Sequence, residues 1–369
     1  MTILTREMTE RCSVHNKIPV IMDVQARLLW FFAFNHALVD CTPLLFNLND
    51  GNEIPAVALG TSLGHLADGT RVLPVNNSLA KAVQWALEAG YRHVDTAALY
   101  RVEDEVGLGV RNFVNGSNNT RNDVYITTKL WNDAHERAEV LPALKKSLDD
   151  LQMDYVDLYL VHYPMAYKSN GSISTTDYLT TWKGMEDVKM MNLTRSIGVS
   201  NFNLSQMKRL WEHAKIKPAV LQIEVNPTIT QEKLVNWCRE HGVVVMAYSP
   251  FGAILGRKKD GPQPRADHPL LQGLAHKYNK TVPQILLRYL LDRHIVAIPR
   301  STNKQRIAQN INIMDFALKP EEVRELSGFN SNYRLRTPVK WYDHPHFPFE
   351  KKNLTKEQIK YIIEHSKED

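Results

Sequence analysis

The sequence predicts an α/β protein: a (β/α)8 TIM barrel with an N-terminal β-hairpin and long loops over the C-terminal face. Eight short apolar, β-branched runs without strict alternation recur along the chain, as expected of parallel strands buried on both faces. Helical patterns separate them, which is the βα rhythm of a parallel sheet. Asp95, Lys129 and His162 close or directly follow three successive runs, about 34 residues apart. In a parallel barrel such strand ends meet on one face, where catalytic groups collect.

The elements follow in order. Residues 1–42 read as an N-terminal extension, signal-like or disordered, whose apolar stretch Leu28–Phe34 is interrupted by Asn35 and His36. That stretch is too short to span a bilayer. Residues 45–56 form a hairpin through Asn49-Asp50-Gly51, a strong turn signal. The strand-like runs are 56–60, 92–96, 124–129, 156–162, 195–200, 220–225, 243–249 and 295–299. Helical spacing covers 78–90, which ends in Gly90 as a C-cap, then 138–152, 203–214, 231–242, 282–293 and 304–313. The strands and helices place the barrel over roughly 54–316, within a domain of 43–350 that precedes a polar tail, 351–369. An open doubly wound sheet is the alternative. It carries a GxGxxG turn after its first strand, and Gly60-Thr61-Ser62-Leu63-Gly64 does not match.

Two insertions, 163–181 and 250–269, are rich in Gly, Pro and polar residues and follow strand ends. Each is expected to be a loop over the catalytic face. The segment 328–350 is irregular and aromatic. Trp341, Tyr342, Phe347 and Phe349 would be costly to expose, so it is expected to pack back on the barrel.

The bulk properties exclude several classes. The 369 residues are 43% hydrophobic and 23% charged, an ordinary globular composition with enough apolar residues for a large core. The net charge of +5 comes without a dense Lys/Arg tract interleaved with aromatics, so nucleic acid is not the expected partner. Arg257–Lys258–Lys259 reads as a solvated loop. Cys12, Cys41 and Cys238 form no zinc-like cluster, and His344 and His346 make an isolated pair, so no metal is expected. The reading is cytoplasmic, without a membrane span. Secretion is the alternative, on two signs. A start at Met22 would place Arg27 before the apolar stretch. Eight Asn-x-Ser/Thr motifs also occur, beginning at Asn76, Asn115, Asn118, Asn170, Asn192, Asn203, Asn279 and Asn353, where 26 asparagines would make about three or four by chance.

Tyr100 lies five residues beyond Asp95, so an acid, a phenol, an amine and an imidazole converge. Together they suit proton transfer to a carbonyl oxygen. A phenol is a poor acid at neutral pH, and a neighbouring ammonium lowers its pKa. Lys129 is assigned that role, Asp95 keeps Lys129 charged and aimed, and His162 polarises the carbonyl or shares the proton. Each residue alone has an ordinary structural explanation. Their appearance together at successive strand ends does not.

On its motifs the chain resembles the aldo-keto reductases, closest to arthropod members, including those that reduce 3-oxo ecdysteroids. The matching stretches are LNDGNEIPAVALGT (48–61), GYRHVDTAALY (90–100), TTKLW (127–131), LVHYP (160–164), SIGVSNF (196–202), QIEVNP (222–227), AYSPFG (247–252) and IPRSTNKQRIAQNI (298–311). The resemblance implies NADPH/NADP+ as cofactor, a small carbonyl substrate and a monomer. It implies that Ser200, Asn201 and Gln222 hold the nicotinamide carboxamide and that Tyr248 stacks on its ring. Gly60, Thr61, Ser249 and Phe251 join the cofactor site, with the loop at 250–260 over the pyrophosphate. Arg300, Ser301, Thr302, Arg306, Gln309 and Asn310 hold the adenosine 2′-phosphate and adenine. Two arginines beside a hydroxyl pair at a helix N-terminus also suit a phosphate on physical grounds. Ser62, Trp131 and Trp341 are expected at the substrate.

Three departures from the family pattern bear on this. Arg300 stands where lysine is usual and keeps the charge. Val102 replaces an asparagine before Glu103. Ser62 replaces a tryptophan and removes an aromatic wall from the substrate mouth. His162 is kept, whereas members that reduce steroid C=C bonds carry glutamate there. Carbonyl reduction is therefore the expected reaction, of the aldehyde-reductase, or NADP-dependent alcohol dehydrogenase, type. A non-catalytic NADP-binding regulatory or structural role and a Schiff-base aldolase acting through Lys129 are the competing readings.

Overall fold

The computed structural model describes residues 43–64, 70–256, 261–338, 341–351, 355, 357, 358 and 360. The expected extension at 1–42, most of the tail at 351–369 and the Arg257–Lys259 run lie outside the described residues. Strands β1 (Leu45–Asn47) and β2 (Glu53–Pro55) form the antiparallel hairpin. Gly51 makes its turn at φ 85°, a conformation that side-chain-bearing residues resist. Asn49 Nδ2 donates to Pro218 O, and Asn52 Nδ2 donates to Arg195 O. Both acceptors lie at the starts of barrel strands, so the hairpin covers the N-terminal end.

Eight parallel strands follow: β3 (Leu59–Gly60), β4 (His93–Asp95), β5 (Tyr125–Leu130), β6 (Val156–Val161), β7 (Thr194–Ser200), β8 (Val220–Glu224), β9 (Val244–Tyr248) and β10 (Ile295–Ala297). Each pairs with the next in sequence. The ring closes through a parallel bridge between Val57 and Ala297, with Ala58 N donating to Ala297 O and Gly60 N to Pro299 O, both at 2.9 Å. The expected run 56–60 thus pairs along its length, although only its last two residues form regular strand. β6 is buried at every position, which explains its unbroken apolar reading.

The helices are α1 (Ser78–Glu88), α2 (Glu103–Asn115), α3 (Arg137–Leu151), α4 (Tyr178–Met190), α5 (Leu204–His213), α6 (Glu232–Glu240), α7 (Pro269–Tyr278), α8 (Val282–Asp292), α9 (Lys304–Ile311) and α10 (Pro320–Ser327). Four of them, α2, α4, α7 and α10, go beyond the sequence reading. In α2, Gly107 and Gly109 weaken the helical pattern. Their use is close packing: a Cβ on Gly107 would stand 2.1 Å from Leu151 O, and one on Gly109 2.6 Å from Ala80 O. α4 corrects the expected loop 163–181, whose last residues are already helical. Asp177 ends the loop by accepting a hydrogen bond from Leu179 N at 2.8 Å, a side-chain cap.

The 328–350 segment packs back on the barrel. Tyr342 and Phe347 are buried against Met165, and Tyr163, Tyr167, Trp341 and Phe349 pack around them. Its backbone is tied down where Leu335 N and Arg336 N donate to the buried Glu224 carboxylate at 2.9 and 3.1 Å. His344 Nε2 meets Ala166 O at 3.0 Å and its Nδ1 accepts from His346 N, so both ring nitrogens are engaged.

Candidate active site

Barrel register brings the polar strand ends together. Asp95 ends β4, Lys129 sits one residue inside the end of β5, and His162 directly follows β6. Lys129 Nζ donates to Asp95 Oδ1 at 2.8 Å, to Asp95 Oδ2 at 2.9 Å and to Thr96 O at 2.8 Å. All three ammonium protons are therefore committed. Gln222 Nε2 donates to Asp95 Oδ2 at 2.7 Å and completes the shell of that carboxylate.

Tyr100 ends a single 3-10 turn, Ala98–Tyr100. Its ring lies edge-on to His162, with centroids 5.7 Å apart, and Lys129 Nζ stands 5.2 Å from the Tyr100 ring centroid. Burial pushes the Tyr100 phenol up, Asp95 adds to the rise, and Arg71 and Arg336 oppose it. The expected lowering of this pKa is not seen: the net direction is upward, with desolvation of the phenolate as the largest cause. Burial also pulls the Lys129 ammonium down, while Asp95 acts in the opposite direction. Burial, then Lys129 and Arg71, holds His162 well below its ordinary range. The site therefore presents a protonated phenol beside a neutral imidazole. Both can serve an oxygen that gains negative charge.

Aromatic rings wall this pair. Trp131 lies 5.2 Å from the His162 ring and 5.8 Å from Trp341. Tyr163, which the sequence reading missed, stacks on His162 at 5.3 Å and also meets Trp341 at 5.1 Å. Its place directly after His162 was the available signal. Arg71 was also missed; its guanidinium lies 5.7 Å from the Tyr100 ring centroid. No periodic pattern marks Arg71 or Arg336. Ser62, expected at the substrate, also touches a residue of the cofactor group: its backbone carbonyl accepts from Arg300 Nη1 at 2.8 Å.

The residues expected at the nicotinamide form a connected group. Asn201, at φ 61°, donates through Nδ2 to His162 O at 3.0 Å and to Ser200 Oγ at 3.1 Å. Its Oδ1 accepts from Tyr248 Oη at 2.8 Å. Thr61 is buried, and its hydroxyl donates to Asp95 O at 3.0 Å. A Cβ on Gly60 would stand 3.1 Å from Ile298 Cγ2, so β3 and the end of β10 approach closely there. Ser249 is at φ 48°, its carbonyl accepts from Asn226 Nδ2, and Phe251 is half-buried against the core.

A second group gathers after β10. Asn303 caps α9 by accepting from Arg306 N at 3.0 Å, and Asn303 N donates to Ser301 Oγ at 3.1 Å. Arg300, Thr302, Arg306 and Gln309 are exposed around this helix start, while Ser301 and Asn310 are buried. Two exposed guanidiniums and a hydroxyl at a helix N-terminus fit a phosphate group. Among the described residues no group of three or more His, Cys, Asp or Glu side chains could hold a metal ion, and no helix is long and apolar enough to cross a membrane.

Comparison with known proteins adds an independent line. The profile of the Aldo/keto reductase family matches residues 58–331. Aldo-keto reductase AKR2E4 of Bombyx mori is 52% identical over 302 residues, covering 82% of this chain and 97% of its own. Human aldo-keto reductase family 1 member A1 is 36% identical over 324 residues, covering 82% and 97%. The crystal structure of the Bombyx mori AKR2E4 complex with NADP superposes with a TM-score of 0.79 at 50% identity, over 84% of this chain and 99% of that one. That of AKR2E5, also from the silkworm, complexed with NADPH gives 0.82 at 41% identity, over 86% and 97%.

Proposed function

Because the chain belongs to the aldo/keto reductase family, we propose that it reduces aldehyde or ketone carbonyls to alcohols with NADPH, as an aldehyde-reductase-type enzyme. One observation carries this reading: the Tyr100 phenol stands edge-on to the His162 imidazole, with ring centroids 5.7 Å apart, beside a buried Lys129–Asp95 pair. NADPH, when bound, supplies the hydride. Tyr100 gives its proton to the carbonyl oxygen. His162 orients that oxygen through a hydrogen bond, and its neutral state avoids placing a second cation beside Lys129. Asp95 and Gln222 position Lys129. Ser200, Asn201, Gln222 and Tyr248 would hold the nicotinamide end, with Gly60, Thr61, Ser249 and Phe251 beside them. Arg300, Ser301, Thr302, Arg306, Gln309 and Asn310 would hold the 2′-phosphate and adenine. The family complexes with NADP and NADPH support that assignment.

Trp131, Trp341 and Ser62 would border the substrate, with Tyr163 beside them. The small Ser62 side chain leaves room for a bulky ketone, and a 3-oxo ecdysteroid is the candidate placed first. The protein acts as a monomer in this reading. The test is NADPH consumption, followed by its near-ultraviolet absorbance, against a panel of aldehydes and ketones that includes 3-oxo ecdysteroids. Turnover of at least one carbonyl is expected, with loss of turnover but retention of NADPH binding in Tyr100→Phe. A Tyr100→Phe variant as active as the parent would refute the proton-donor role.

A further inference from the structure

The eight Asn-x-Ser/Thr motifs play no part in carbonyl chemistry, and as sequence they are equivalent. The fold divides them. Among the described residues, Asn76, Asn115, Asn118, Asn170, Asn192 and Asn279 are exposed, and none lies in a strand. Asn76, Asn192 and Asn279 sit at left-handed φ of 54°, 58° and 51°, where the chain turns sharply at the surface. Asn170 heads a compact turn in which its Oδ1 accepts from Ser172 N at 3.0 Å and from Ser172 Oγ at 2.7 Å, so the two polar residues of the motif are already in contact.

Asn203 is the contrasting case. It is half-buried and caps α5, its Oδ1 accepting from Gln206 N at 2.9 Å and from Ser205 Oγ at 2.7 Å. Its Nδ2, the atom that would carry a sugar, donates to Pro348 O at 3.1 Å. A glycan there would break that bond and push the 328–350 segment off α5. Asn353 lies outside the described residues.

We propose that this chain is an N-linked glycoprotein, modified at Asn76, Asn170, Asn192, Asn279 and the 115–118 turn, and spared at Asn203. In the transfer, the side-chain amide nitrogen attacks the anomeric carbon of a lipid-pyrophosphate-linked oligosaccharide. A C–N bond forms as the C–O bond to pyrophosphate breaks, the amide loses a proton, and the lipid pyrophosphate leaves; nothing is oxidised or reduced. A glycan on an exposed motif leaves the fold intact, whereas one on Asn203 would keep the 328–350 segment from docking on α5, so the folded protein is expected to carry none there. Such donors belong to the secretory pathway, so a glycosylated chain follows the secreted alternative of the sequence rather than the cytoplasmic one. The described cysteine is compatible with an oxidising compartment: Cys238 is buried and burial pushes its thiol up to about 12, so it is unreactive.

The test uses the full chain produced in insect cells and recovered from cells and medium. Gel mobility is compared before and after peptide N-glycosidase treatment in heavy-oxygen water, and each site is read by peptide mass spectrometry as a labelled Asn-to-Asp conversion. Conversion at one or more of the exposed motifs, with Asn203 unconverted, is the expected result. No conversion anywhere, or conversion of Asn203 in folded protein, overturns the proposal. Neither outcome depends on the enzyme's activity.

Discussion

Replacing Lys129 with methionine removes the cation from a fully buried pair while keeping the length of the side chain. Asp95 then loses two charge-assisted bonds, at 2.8 and 2.9 Å, and keeps only the 2.7 Å bond from Gln222 Nε2. A buried carboxylate stripped of its partner costs about 3–5 kcal/mol, because the low-dielectric interior replaces little of the lost hydration. Adding Asp95→Asn removes the stranded charge, since an amide can keep the Gln222 contact without needing a cation. The double variant is therefore expected to be more stable than Lys129→Met alone, with a coupling energy of about 2–3 kcal/mol. Urea unfolding without nucleotide, followed by far-ultraviolet circular dichroism, measures all four corners of the cycle. Nucleotide is left out because a ligand bound to the folded state would raise apparent stability. An unchanged slope with denaturant licenses the comparison. A Lys129→Met variant within about 1 kcal/mol of the parent, or a double variant as unstable as the sum of the singles, would refute the argument.

Acid should weaken the fold through histidines kept neutral inside. Burial lowers both His93 and His135 to about 3, whereas unfolded histidine titrates near 6.5. The unfolded chain thus binds more protons below pH 6.5, so this contribution is complete above that pH and is lost as pH falls toward about 3. The two together remove roughly 3 kcal/mol between pH 6.5 and 5, and a urea midpoint unchanged across that range would contradict this. Gly198→Ala should destabilise by about 2–3 kcal/mol in thermal melts, because a Cβ there would stand 2.4 Å from Val220 O and 2.8 Å from Leu160 Cδ2 and must part β7 from β8. An unaltered melting temperature would show that the strands can yield. Arg306→Ala should raise KM for NADPH about tenfold more than for NADH, through loss of a charge-assisted contact to the 2′-phosphate. Equal effects on the two nucleotides would remove Arg306 from that role.

Much of the barrel was legible because strand and helix periodicities are local. The runs at 124–129 and 156–162 needed no knowledge of their partners to be recognised as strands, and their order along the chain became their order around the ring. Reading failed where a helix is held by packing rather than by its own pattern. α2 is the clearest case, since Gly107 and Gly109 are poor helix formers kept for close approach to Leu151 and Ala80. The same limit hid Arg71 and Arg336. Each comes from an irregular loop, and nothing near it in sequence says that its charge acts on Tyr100.

By itself the sequence determined that Asp95, Lys129 and His162 share one end of a barrel and that Tyr100 lies beside them, because strand ends at a steady period must converge. It did not determine what each group does to its neighbours. Desolvation raises the Tyr100 phenol, Lys129 spends its three donors on Asp95 and Thr96, and burial holds His162 below its ordinary range. Exposure likewise separated Asn203 from six motifs of the same form. Those outcomes depend on how much water each group loses and on what lies across the fold from it. Burial is a property of the packed molecule, and no local stretch of residues carries it.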